Sequence, residues 1–211
     1  MQPSNSPSLA GQSRLAGSGW HAACPECAET WKLSGGERVV VRAVRAADAE
    51  KERAFVQALS RESRYYRFLT GGRVSDEVID LFIESNAGLA LVVTAEVDGL
   101  PVIVANGNYV VTPGEDGEVG EFAVAVADDW QGKGIGRRLI QRLRDAAVGA
   151  GLHRLRGDVL SENRRMLALM REFGFSTRRN PEDSLLYEVS LVLGELAGYS
   201  AQQAVARLLP A

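Results

Sequence analysis

Residues 119–138, VGEFAVAVADDWQGKGIGRR, carry an apolar alternation straight into three alternating glycines and then two arginines. The alternation reads as a β-strand over 119–127. In GIGRRLIQRLRDAAVGAG, which follows, Leu139, Leu143, Ala146 or Ala147, and Ala150 share one helical face, with Arg137, Arg138, Gln141, Arg142 and Arg144 on the others. A strand, a glycine turn and a helix in that order leave unpaired N–H groups at the helix start, where the dipole also favours negative charge. Glycines keep Cβ atoms clear so that an anion can approach the backbone. Lys133, Arg137 and Arg138 add charge nearby, so the spacing points to a phosphate or pyrophosphate; a ligand-free connector is the alternative. The stretch has no GxxxxGK[ST], and Arg137 breaks a GxGxxG fingerprint, which argues against a P-loop and a dinucleotide fold.

The rest of the chain frames that unit. ERVVVRAV (37–44) reads as the first strand, followed by helical segments AADAEKERAFVQAL, SRESRYYRFL and SDEVIDLFIES, with Ser60 and Ser75 as caps. Asp48 falls in the first turn of its segment, where a carboxylate suits the dipole. LALVVTAEV (89–97) and LPVIVANGNYVV (100–111) flank Asp98-Gly99 and form a hairpin. HRLRGDVL (153–160) is a strand, ENRRMLALMREFGF (162–175) a helix ending at Gly174, and SLLYEVSLVL (184–193) the last strand. SAQQAVARLL (200–209) is a terminal helix. The order β-α-α-α-β-β-β-α-β-α-β gives an α/β fold with a mixed central sheet and helices on its faces. Residues 1–36, rich in Ser, Gly, Pro and Gln, read as a disordered leader, 37–195 as the folded domain and 196–211 as a helical tail.

Composition excludes several functions. A net charge of −3 in 211 residues gives no global basic field for nucleic acid. No apolar run is long enough to span a bilayer and the N-terminus has no secretory pattern, so a cytoplasmic protein is expected. Cys24 and Cys27 form a single CPEC near His21, without the second ligand pair of a structural zinc site, so no metal is expected.

VAVADDWQGKGIGRRLI resembles the acyl-CoA loop of the GNAT superfamily of N-acyltransferases, [QR]-x-x-G-x-[GA], met by Gln131, Gly134 and Gly136. SENRRMLALMREFGF is similar to the downstream N-x-x-x-x-x-[LM]-x-x-x-G-F, with Asn163, Leu169, Gly174 and Phe175 in register. The resemblance covers roughly 37–193, and LSRESRYYRFLTGGRVSDE with GEFAVAVADDWQGKGIG brings it close to bacterial protein-lysine acetyltransferases. It implies a GNAT fold with a splayed central strand pair and acetyl-CoA as co-substrate. Val124, Ala125 and Val126 would pair with the pantetheine through their backbone. Gln131, Gly132, Lys133, Gly134, Ile135, Gly136 and Arg137 would hold the pyrophosphate, and Asn163 would contact the pantetheine or thioester end.

The reaction so implied is attack of an amine on a thioester, with an amine acceptor as partner, on a protein or on a small molecule. Keeping a lysine amine neutral at pH 7 costs about 4.6 kcal/mol, so a base is useful. The resemblance assigns that role to Glu121. On the sequence it lies between Gly120 and Phe122, among apolar neighbours that would favour a proton on its carboxylate near neutrality; the alternative is a glutamate facing water. The tyrosine acid of many relatives is replaced by Met170, with Tyr187 and Ser161 as other candidates. Arg61, Arg64, Tyr65, Tyr66 and Arg67 lie where the superfamily places its acceptor-side helices. They offer either a contact for an acidic protein surface or a helix pair with solvated arginines. A small-amine acceptor and a non-catalytic acyl-CoA sensor are the competing functions.

Overall fold

The computed structural model describes residues 28–84 and 88–193. Eight strands form one sheet: β1 (Glu29–Lys32), β2 (Arg38–Ala43), β3 (Gly88–Val97), β4 (Leu100–Thr112), β5 (Val119–Val126), β6 (Arg154–Leu160), β7 (Ser176–Arg179) and β8 (Leu186–Val192). Their order across the sheet is β1-β2-β3-β4-β5-β6-β8-β7, and every pair is antiparallel except β5 with β6. The expected mixed sheet is thus observed. The helices are α1 (Ala49–Ala58), α2 (Arg61–Phe68), α3 (Asp76–Glu84), α4 (Ile135–Gly149) and α5 (Arg164–Glu172).

Alternation along the strands sorts side chains into two cores. On one face, Leu139, Ile140, Leu143 and Ala147 of α4 and Leu167 and Met170 of α5 pack on Leu91, Val93, Tyr109 and Phe122. On the other, Phe55 and Val56 of α1 and Ile79 and Phe82 of α3 cover Ala90, Val92, Ile103 and Ala125. The hairpin between β3 and β4 is the expected two-residue one: Val97 pairs with Leu100, while Asp98 and Gly99 take φ of 51° and 76°.

Two expectations need correction. The fold begins before Glu37, because β1 adds a strand whose Trp31, with Leu33 beyond it, is buried in the first core. A four-residue strand with two inward side chains is too short to show a period. β7, also of four residues, pairs with β8 after the turn at Gly174 and carries no buried side chain. Asp48 lies in the first helical turn as expected, and its carboxylate also accepts from Arg42 at 2.6 and 2.7 Å and from the Arg45 amide at 2.9 Å. Cys24, Cys27 and the stretch 200–209 expected as a terminal helix lie outside the described residues.

Candidate active site

The site starts from a failure of pairing. β5 and β6 are in register only at Val119↔Arg154, Gly120↔Leu155 and Glu121↔Arg156. Beyond that crotch each strand keeps its outer partner, Val126 pairing with Ala105 on one side and Leu160 with Leu186 on the other. The backbone of 122–126 and of 157–160 therefore presents open edges to one another, across a cleft of about 700 Å³. Gly157 makes the crotch tight: a Cβ there would stand 3.0 Å from the Phe122 carbonyl oxygen.

The glycine loop closes one end of the cleft. Gly132 and Gly134 adopt φ of +79° and +89°, and Gly134 is the N-cap of α4 with no side-chain cap. The first amides of α4 thus have no side-chain cap, an arrangement that suits an anion. Gln131, Gly132, Gly134, Ile135, Gly136 and Arg137 all line the cleft, as do Val124, Ala125, Val126 and Asn163. These features fit acetyl-CoA: uncapped donors suit a pyrophosphate, and an unpaired strand edge suits the amides of a pantetheine arm.

Several side chains do other work than expected. Lys133 is not on the cleft; its Nζ donates to Glu37 Oε1 at 2.5 Å and stands over the Trp130 ring. Its backbone stays in the loop, but its charge is spent on Glu37. Arg137 pairs with Glu172 and lies over Phe173. Gln131 is a strut, donating to Ser63 Oγ at 3.1 Å and the Val126 carbonyl at 3.2 Å, and accepting from Arg165 at 3.4 Å. Asn163 caps α5, its Oδ1 accepting from the Met166 amide at 3.1 Å. Met170 is fully buried in the first core.

Glu121 is the main correction. Its carboxylate is about half exposed and meets Arg156 at 3.2 Å, so the apolar surroundings expected from the sequence are absent. Phe122 on one side and Gly120 on the other belong to the opposite face of the strand, which the alternation itself implies. Glu121 sits at the crotch and does not line the cleft, whereas Asp158 on β6 does. Sequence reading missed Asp158; the signal was its even spacing from Arg156 on an alternating strand.

The α2 wall also differs from the solvated helix considered above. Arg64 donates to the carbonyls of Gln57 and Leu59, Tyr66 to Glu62 at 2.9 Å, and Arg67 to Asn108 Oδ1 at 3.0 Å. Tyr66, Arg67, Ser63 and Glu62 line the cleft. Burial pulls the Arg67 guanidinium down to about 10, against the charge of Glu52. Among the described residues no group of three or more His, Cys, Asp or Glu could hold a metal ion, and no helix is long and apolar enough to cross a membrane.

Residues 54–175 match the model of the acetyltransferase (GNAT) family. An acetyltransferase of Pseudomonas aeruginosa is 32% identical over 157 residues, which are 72% of this chain and 82% of that protein. The structure resembles the GNAT domain of S. lividans PAT with a TM-score of 0.69 at 24% identity, covering 79% of this chain and 97% of that one. It also resembles yncA of Salmonella typhimurium, solved with its cofactor acetyl-CoA, with a TM-score of 0.59 at 22% identity over 74% of this chain and 94% of that one.

Proposed function

The chain belongs to the GNAT family of acetyltransferases, and from that premise we propose that it transfers an acetyl group from acetyl-CoA to a lysine ε-amine of a protein, with Glu121 as general base. The observation that carries the reading is the parting of β5 from β6 immediately after Glu121↔Arg156, with uncapped α4 amides at the far end of the gap. An extended thioester laid along the open edge of β5 would direct its reactive end toward the crotch, where Glu121 stands. The cleft carries both arginines and carboxylates, and the carboxylate of β6 nearest the crotch is Asp158, which favours a cationic acceptor there such as lysine. Glu121 accepts a proton from the attacking nitrogen, and Arg156 holds its carboxylate in place. With Met170 buried among apolar groups, no side chain at that position can protonate the thiolate, which leaves as the weaker base.

Intact-mass spectrometry of protein, peptide and small-amine acceptors incubated with acetyl-CoA tests this reading. Acetyl adducts on lysines of a protein acceptor, lost by about 10²-fold or more in Glu121→Gln, are expected. Small amines modified at equal rates by both forms would refute the substrate class and the base together. Binding of acetyl-CoA with no adduct on any acceptor would favour a non-catalytic sensor.

A further inference from the structure

Asp158 stands two residues beyond Arg156, the partner of Glu121 where the strands part, so it is the first carboxylate of β6 past the crotch and on the same sheet face as Glu121. Unlike Glu121, it lines the cleft and has no basic partner within ion-pair distance among the described residues. Among the described residues its one hydrogen bond is a long one, accepted at 3.5 Å from Asn180 Nδ2. Charged neighbours face it from three strands: Glu121 of β5, Arg156 of β6 and Glu188 of β8, which is in register with it and itself opposite Arg178 of β7. Two of the three nearest are anionic. Burial pushes the Asp158 carboxyl up, the Asn180 hydrogen bond opposes this, and the charges of Glu121 and Glu188 add to the rise against Arg156.

We propose that Asp158 is a second catalytic carboxylate, which takes the first proton from the incoming ammonium before Glu121 takes the second. This rests on the acetyl-transfer reading above and divides the removal of two protons between two carboxylates. An alkylammonium carries three protons on nitrogen and the amide product keeps one, so two must leave. The Asp158 carboxylate accepts the first, which frees the nitrogen lone pair. That pair forms the C–N bond at the thioester carbonyl, and Glu121 accepts the second proton from the nitrogen. When the C–S bond breaks, its electron pair goes to sulfur, and the thiolate takes the proton held on Glu121. Asp158 returns its proton to water through the open cleft.

The test is the pH dependence of kcat/KM from pH 6 to 10, for wild type, Asp158→Asn, Asp158→Glu and Glu121→Gln, with the fastest lysine peptide of the acceptor panel. Thermal unfolding and acetyl-CoA affinity are measured alongside to exclude misfolding. Asp158→Asn should lose about 10- to 100-fold at pH 7. That deficit should shrink to about threefold at pH 10, where solution itself supplies neutral amine. Asp158→Glu should recover part of the rate at pH 7, and Glu121→Gln should stay impaired at both ends. A deficit of equal size at every pH, or none, would overturn the role of Asp158 and leave acetyl transfer standing. Absence of acetylation by wild type on the whole panel would overturn both.

Discussion

Asp128 binds Ser60 twice, accepting its backbone N–H at 2.9 Å and its hydroxyl at 2.8 Å, and a third bond comes from Ser63 Oγ at 2.7 Å. The short turn that enters the glycine loop is thereby fastened to the N-terminus of α2, one wall of the cleft. Burial alone would raise the Asp128 carboxyl, but the Ser60 amide and the two hydroxyls outweigh it and hold it below the usual carboxylate range. Gln131 adds its bond to Ser63, so the glycine loop and α2 form one hydrogen-bonded unit.

Asp128→Ala should therefore impair both ends of the cleft, although the residue itself is on the surface. The expected loss is about tenfold in kcat/KM for the acceptor, equivalent to about 1.4 kcal/mol, together with weaker acetyl-CoA binding. Steady-state kinetics with each substrate varied in turn would check it. An effect confined to acetyl-CoA would show that α2 does not depend on the loop.

Glu52 predicts a pH dependence of stability. It is 1% exposed on α1, accepts from Asn106 Nδ2 through one carboxylate oxygen and leaves the other without a partner. Burial pushes its carboxyl from the ordinary 4.5 up to about 7, while the Asn106 hydrogen bond and the charge of Arg67 pull the other way. The folded chain thus binds this proton more tightly than the unfolded chain. The stability so gained is complete below about pH 4.5 and is lost as the pH rises through about 7, by up to about 3 kcal/mol. Glu52→Gln keeps an acceptor for Asn106 and should flatten this slope, leaving the variant the more stable form at pH 8. Denaturant melts at pH 5 and pH 8 would show it; parallel behaviour of the two proteins would rule it out.

Gly157→Ala should separate the geometry of the crotch from its chemistry. The added Cβ would meet the Phe122 carbonyl at 3.0 Å and its ring carbon at 3.1 Å, so β6 must move by a few tenths of an ångström. About 1 kcal/mol of stability is the expected cost. Turnover should fall by more than that cost alone accounts for, because Glu121 and Asp158 stand on the two strands being pushed apart. Comparing the shift in denaturant midpoint with kcat at saturating acetyl-CoA measures both.

What was legible in the sequence followed from periodicity and from backbone needs. β5, the glycine loop and α4 were readable because alternation, positive-φ glycines and a helical apolar face sit in one uninterrupted stretch, and the same holds for the Asp98-Gly99 hairpin. Strands as short as β1 and β7 do not complete a period, and pairing supplied from a distance makes them strands. In the site, backbone conformation was foreseeable and side-chain partners were not. Lys133 meets Glu37 across 96 positions, and Arg67 meets Asn108 across 41, separations at which no local pattern speaks. Glu121 shows the limit most clearly. Its chain neighbours are apolar but point the other way, and what faces it is Arg156 on a strand 35 residues later.

Asn163 is where a structural and a binding role can be pulled apart. Its Oδ1 caps α5 at the Met166 amide, and the residue also lines the cleft, where the side chain's Nδ2 is a donor that a thioester or pantetheine could use. Asn163→Ala removes both functions and should lower stability by about 1 kcal/mol. Asn163→Ser preserves a capping oxygen but has no amide, so its melting temperature should stay near wild type. If the amide contacts the acyl donor, the Ser variant should still weaken acetyl-CoA binding about three- to tenfold, measured by calorimetry. Should Ser bind acetyl-CoA as tightly as wild type, Asn163 acts through the helix cap alone, and recognition of the donor rests on the backbone of β5 and the glycine loop.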